Sequence, residues 1–260
     1  MKNVHTFKVG NAPVWEPWAD GIFVTHQKET CFYYKGADCL YKVNCSDGQQ
    51  DAVFRCSTLP LPCNWFFRED KGRPTLVLSA DRCLDLQTNE VVPISLPCSK
   101  KYAEEAFPFH FGKYKILQNG TWGYRCLCED TPLWSFRGRA YLATDIVLLK
   151  DVFAWGTSGA GGFFYLVEQK TGKPRLSLST GGTKEFVVID SLCYVAKREK
   201  STSEVLCISS KDGSVLQSCP VEGVFTDSSR IYLQGNSLFV TTFTHRKDQH
   251  GQLMLSKIEL

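Results

Sequence analysis

Short apolar runs broken by polar turns fill the chain from end to end. Gly21-Ile22-Phe23-Val24-Thr25 and Cys31-Phe32-Tyr33-Tyr34 are followed by Leu40-Tyr41-Lys42-Val43 and Ala52-Val53-Phe54. The succession starts again with Trp65-Phe66-Phe67 and Thr75-Leu76-Val77-Leu78, and later with the paired runs 146–149 and 152–155, then 186–189 and 192–195. Runs of this length, bounded by Gly, Asn and Asp, predict β-strands. Nothing in the chain keeps apolar spacing of three and four over ten or more residues, so no helix is expected beyond one turn at 99–106.

The turns recur. Asp47-Gly48, Thr88-Asn89, Glu129-Asp130, Thr171-Gly172 and Asp212-Gly213 each follow an apolar run, at steps of 41 or 42 residues. Gly takes positive φ at no steric cost, which suits a tight hairpin turn. After each turn comes another short strand, and Pro93 in the copy at 91–94 places that strand on a sheet edge, where a missing N–H is tolerated. Four short strands per unit of about 41 residues is the content of one propeller blade. The expected fold is all-β, a single six-bladed β-propeller of four-stranded antiparallel blades over residues 1–260. The sixth unit lacks one strand. Residues 2–10, which contain the alternating run 4–9, are expected to supply it by pairing with the C-terminal blade 228–260, because an open ring would leave bare sheet edges.

Leu40-Tyr41-Lys42-Val43-Asn44-Cys45-Ser46-Asp47-Gly48 aligns with Phe164-Tyr165-Leu166-Val167-Glu168-Gln169-Lys170-Thr171-Gly172 and with 205–213. This pattern resembles the repeat of the PQQ-like (quinoprotein-type) β-propellers, and Leu133-Trp134-Ser135-Phe136 resembles that family's aromatic fourth strand. The Gly-His and Trp-Asp marks of WD40-like blades are absent. The resemblance implies a fold, since propellers host many functions. No Cys-Cys pair is present, and neither quinone nor any other cofactor is expected.

Composition narrows the setting. Lys and Arg number 30 against 27 Asp and Glu, a net charge of +3 with the signs mixed along the chain. Nucleic-acid binding calls for a concentrated basic stripe instead. No run of 18 apolar residues offers a transmembrane helix, and no apolar segment follows Lys2 as a secretory leader would. A cytoplasmic protein without membrane contact is expected. The 12 cysteines are then read as reduced core thiols, Cys31, Cys83, Cys193 and Cys207 within apolar strands. Cys126-Leu127-Cys128 lacks the further ligands that structural zinc needs, so no metal is expected.

Catalytic signatures are missing. His245 and His250 flank a polar hairpin, and 157–162 resembles a phosphate loop without the following Lys-Ser/Thr or a helix, so it reads as a hairpin tip. In a propeller, loops alternate between two faces. Here one face carries short regular turns, and the other carries the longer segments 59–64, 98–109, 137–143 and 222–229 with the hairpins 156–162, 197–204 and 245–252. Variable loops on a rigid scaffold make binding surfaces. Candidate partner contacts there are Tyr102, Arg137, Arg139, Tyr141, Lys197, Arg198, Phe225 and Arg246, since Arg and Tyr are favoured at interface centres. Trp15 and Trp18, in the Pro-rich entry 11–20, are expected to plug or brace the ring rather than to bind a ligand. The leading reading is a non-catalytic protein-binding propeller with no catalytic residues, by analogy an inhibitor or immunity-type neutraliser of a partner protein. The alternative is an enzyme or carbohydrate-binding module at the central channel mouth, for which 6 Trp and 10 Tyr would supply stacking surfaces.

Overall fold

The computed structural model describes residues 1–15, 21–35, 39–55, 66–70, 73–79, 82–93, 109–119, 123–138, 141–142, 146–158, 161–226, 229–244 and 250–260. The helical turn expected at 99–106 lies outside them. Strand β1 (Lys2–Trp15) opens the chain. β2 (Gly21–His26), β3 (Glu29–Lys35), β4 (Cys39–Asn44) and β5 (Gln50–Arg55) form an antiparallel meander, the first sheet. β6 (Phe66–Asp70), β7 (Arg73–Val77), β8 (Arg82–Asp85) and β9 (Glu90–Pro93) form the second, and β10 (Phe109–Phe111), β11 (Tyr114–Asn119), β12 (Gly123–Cys128) and β13 (Thr131–Arg137) the third. In the fourth, β14 (Tyr141–Leu142) and β15 (Val147–Leu148) share the first position against β16 (Val152–Ser158), followed by β17 (Phe163–Glu168) and β18 (Pro174–Ser179). The fifth contains β19 (Phe186–Ile189), β20 (Leu192–Glu199), β21 (Thr202–Ser209) and β22 (Val215–Val221). β23 (Ile231–Gln234), β24 (Ser237–Phe243) and β25 (His250–Glu259) make the sixth together with β1, in the order β1-β25-β24-β23.

β1 runs antiparallel to β25 from Lys2 opposite Glu259 to Trp15 opposite His250, with register shifts at Lys2/Val4 and Val9/Val14. The N-terminal strand therefore reaches beyond residue 10. The chain divides into two compact units, one of Lys100–Val221 with Met1, the other of Lys2–Ser99 with Glu222–Leu260. Each contains three of the sheets.

The recurring turn has a physical cause that repeats with it. The Gly48, Gly172 and Gly213 amides donate to the carbonyls of Asn44, Glu168 and Ser209, and the Asn89 amide does the same to Asp85. The residue whose carbonyl accepts also caps the turn through its side chain. Asn44 Oδ1 accepts the Ser46 amide, Asp85 Oδ1 the Gln87 amide and Ser209 Oγ the Lys211 amide. A second cap follows, from Asp47 to the Gln49 amide, Thr171 to Lys173 and Asp212 to Ser214. The polar-x-x-Thr/Asp-Gly pattern is thus a turn that satisfies its own backbone. Just before it, four of the hairpins shift register, between Leu166 and Val167 and between Cys207 and Ile208 at matching positions, and between Leu40 and Tyr41 and between Cys126 and Leu127 two residues to either side. These are β-bulges, which add local twist. Pro93, Pro132, Pro174 and Pro220 all lie in the outermost strand of their sheets, where a missing N–H is tolerated, while Pro74 stands near the start of the inner strand β7.

Neighbouring sheets within each unit bury separate apolar cores. Phe23, Phe32, Val43, Phe239, Leu253 and Leu255 join the first sheet to the sixth, while Val24, Tyr33, Leu40, Leu76 and Leu84 join the first to the second. In the other unit, Tyr124, Trp134, Phe153, Trp155 and Tyr165 join the third sheet to the fourth, and Val152, Phe164, Val195 and Ile208 join the fourth to the fifth. The turn glycines are part of this packing. Gly172, at φ +69°, lies under the Trp134 ring so closely that a Cβ would fall 2.7 Å from it, and Gly48, at φ +75°, leaves 2.8 Å to Phe7. Carbonyls of matching turn residues accept from an adjacent sheet: Leu86 from the Tyr33 hydroxyl, Gln169 from Trp134 Nε1 and Ser210 from Arg175, each at 2.8 Å.

Candidate functional site

The meander gives every sheet two unlike ends. The turns between its first and second strands and between its third and fourth share one end, the turn end. The hairpin between the second and third strands and the connection to the next sheet occupy the other, the hairpin end. In the unit of residues 100–221, Arg137 closes β13 opposite Gly123, Tyr141 of β14 pairs with Ser158, and Lys197 and Arg198 of β20 pair with Glu204 and Ser203. All four belong to the hairpin end. The Arg198 amide donates to the Thr180 carbonyl at 2.9 Å, which ties the fifth sheet's hairpin to the connection leaving the fourth. Tyr102, Arg139 and Arg246 lie outside the described residues.

Phe225 is not a contact residue. It is 0% exposed, and the two hydrogen bonds between Val224 and Phe243 hold its segment against β24. The expected long loops are also shorter than their sequences suggest. The segment 197–204 is mostly paired strand with only Lys200 and Ser201 between β20 and β21, and Tyr141 and Leu142, expected in a loop, form β14. Cross-strand pairing of polar residues, which carries no hydrophobic alternation, explains the first difference.

Electrostatics separate the cations at this end into two kinds. Lys197 Nζ bonds to Glu199 and lies 3.1 Å from Glu204, whose other oxygen accepts the Ser218 hydroxyl. The Ser218 hydrogen bond, then the lysine, hold the Glu204 carboxyl below its usual range, and bonding to Glu199, then Glu204, raises the Lys197 ammonium. Lys197 is consumed within its own sheet. Arg137, Lys184 and Lys200, by contrast, have no ion-pair or side-chain hydrogen-bond partner among the described residues. Sequence reasoning missed Lys184. Lys200 was hidden inside the run 197–204, and only the hairpin register separates it from the paired Lys197. At the turn end Asn, Asp, Ser and Thr side chains cap backbone, as described above, while Lys170, Lys173 and Lys211 likewise have no ion-pair or side-chain hydrogen-bond partner among the described residues.

Two buried polar atoms, Tyr124 Oη and Trp155 Nε1, lack a hydrogen-bond partner among the described residues. Their rings lie 5.1 Å apart, with Phe136 within 6.2 Å of Tyr124 and 5.5 Å of Trp155. Burial, then the neighbouring Tyr165, pushes the Tyr124 phenol well above its ordinary value. Nothing in the sequence marks this pair. All nine described cysteines are free thiols, and eight of them are buried. Burial pushes Cys31 and Cys126 up to about 11 and Cys193 to about 12, so these thiols stay protonated and unreactive at neutral pH. Among the described residues, no three His, Cys, Asp or Glu side chains gather as metal ligands, and no helix is long and apolar enough to cross a membrane.

No family model matches the sequence, and no curated protein matches it either. Solved structures do superpose on it. BamB from Moraxella catarrhalis is similar at 10% identity and a TM-score of 0.42, over 98% of this chain and 100% of that one. A luciferin-regenerating enzyme is similar at 10% identity and 0.49, over 98% and 95%, and the WD40 beta propeller domain of Doa1 at 10% and 0.40, over 93% and 78%. Likeness at this level carries no argument about activity. The six antiparallel sheets stand on their own hydrogen bonding.

Proposed function

We propose that this chain is a non-catalytic, cytoplasmic protein-binding propeller, its six sheets acting as blades, and that it holds an acidic surface of a partner protein on the hairpin end of residues 100–221. The observation that supports this reading is a group of cations at the hairpin end of that unit: Arg137, Lys184 and Lys200 have no ion-pair or side-chain hydrogen-bond partner among the described residues. Unpaired cations beside the ends of paired strands suit a charged interface, where they act mainly on the rate of encounter and on specificity. An inhibitor or neutraliser role would need no more than such a surface.

The test is an affinity capture run in parallel with the wild-type protein and an Arg137→Glu, Lys200→Glu double variant. A specific acidic protein retained by the wild type, released by moderate salt and absent from the variant is the expected result, with thermal unfolding of the two baits alike. A partner that both baits retain equally would place the interface elsewhere, and the absence of any retained protein counts against the reading.

A further inference from the structure

Residues 2–99 and 222–260 contain a cleft that the protein-binding reading does not use. It opens at the turn end, between the first and sixth sheets, with a volume of about 420 Å³, inside the range of small-molecule sites, roughly 300–1,000 Å³. The β2–β3 turn, the Asn44–Ser46 corner, the β23–β24 turn and β25 wall it, over a floor of Cys45 and Phe239. Asn44 is committed there, accepting from Ser46 and donating to Glu29 at 2.9 Å. Lys28 and Lys257 have no ion-pair or hydrogen-bond partner among the described residues, and the same holds for the Gln27 and Ser237 side chains. One carboxylate, Glu29, faces two ammonium groups, so the cleft carries an excess of positive charge.

The backbone points the same way. Gln27 and Lys28 are both left-handed, at φ 48° and 73°, a two-residue turn that ordinarily calls for Asn-Gly. The matching turns of the third and sixth sheets open with Gly112 and Gly235 and that of the fifth with Asp190 at φ 53°, while Glu129-Asp130, in a turn between third and fourth strands, is a second left-handed non-glycine pair. Non-glycine residues held in this region cost on the order of 1 kcal/mol each, and such strain persists most often where a side chain is being placed for use. Here it belongs to Lys28, which lines the cleft together with Lys257 of β25.

We infer that this cleft binds a small organic anion bearing hydroxyl groups, of the sugar-acid class. The two ammonium groups supply the countercharge for a carboxylate. Gln27, Gln234 and Ser237 supply the mixed donors and acceptors that hydroxyls need, which a bare inorganic anion would leave unpaired. The volume suits a monosaccharide-sized ligand. The inference is independent of the protein-binding surface, which lies in the other unit.

Calorimetric titration of the full chain with glucuronate, galacturonate and gluconate tests it, with glucose and inorganic phosphate as comparison ligands. At least one sugar acid should bind with one-to-one stoichiometry, and Lys28→Gln and Lys257→Gln should each weaken it by about tenfold or more, as loss of a charge-assisted contact does. Glucose should bind far more weakly. Failure of all three sugar acids to bind the wild type overturns the inference. So does binding that survives both lysine substitutions, or phosphate binding as tight as that of the best sugar acid, which would make the cleft a plain anion patch. Lys28 lies in a turn and Lys257 in β25, and neither belongs to the apolar core, so the variants are expected to fold, and circular dichroism checks that they do.

Discussion

At the scale of single residues, the fold rests on positions where chemistry and backbone conformation coincide. Gly172 combines a left-handed φ with a tryptophan ring where its Cβ would be. Gly172→Val is therefore expected to destabilise by about 3 kcal/mol, from the strain of a β-branched residue at positive φ and from the displaced ring. Urea unfolding measures it, and a change under about 1 kcal/mol would mean that Trp134 yields freely. Tyr124 is the converse case. Its hydroxyl is buried and has no partner among the described residues, so Tyr124→Phe removes an unpaid desolvation cost and should leave stability unchanged or raise it by up to about 1 kcal/mol. A loss of 2 kcal/mol or more would reveal a hydrogen-bond partner for the hydroxyl. The glycines of the recurring turns are visible in the sequence, because only special residues tolerate positive φ. Tyr124 and Trp155 are not, because an unsatisfied polar tip depends on what packs around it.

At the scale of elements, the same latch between adjacent sheets is built from different side chains. Tyr33 and Trp134 bridge to a turn carbonyl with a neutral donor, whereas Arg175, at the bulge of β18, bonds both the Ser210 carbonyl and the Asp151 carboxylate, the latter at 2.9 and 3.3 Å. The hydrogen bond from Arg175 holds the Asp151 carboxyl below its ordinary value. A depressed folded-state pKa adds stability above the unfolded value, about 4, and that contribution is lost as pH falls through the folded value. Asp151 is 58% exposed, so solvent screening keeps the effect within about 1 kcal/mol. Wild type should exceed Asp151→Asn in stability at neutral pH, and the gap should close towards about pH 3 in urea melts. A gap that does not vary with pH would assign the difference to something other than this ion pair. Bulges, turn caps and edge prolines were legible as a period and a pattern. Which polar residue pairs across a hairpin was not, and for that reason 197–204 reads as a loop and folds as strand.

At the scale of the whole molecule, the pairing of β1 with β25 joins the first residues of the chain to its last strand. Removal of residues 1–10 leaves the β25 edge unpaired, and unpaired edges recruit other chains. The shortened protein should aggregate or lose cooperative unfolding. A monomer with an unaltered melting curve would show that this strand is dispensable. The sequence by itself determined the repeat, the all-β character, the turns and the missing strand of the sixth unit. All of these follow from local rules: alternation, chain length per unit, and the few residues that accept positive φ. Tertiary structure alone decided which charges survive as free groups. Arg137, Lys197 and Lys200 look alike in the sequence, yet the register of β20 against β21 brings Lys197 to two carboxylates, while Arg137 and Lys200 have no ion-pair partner among the described residues. It also decided that Phe225 is core and that Lys28 and Lys257, more than two hundred residues apart in the chain, face one cleft. Pairing of that kind depends on distances between strands remote in sequence, and no local pattern encodes those distances.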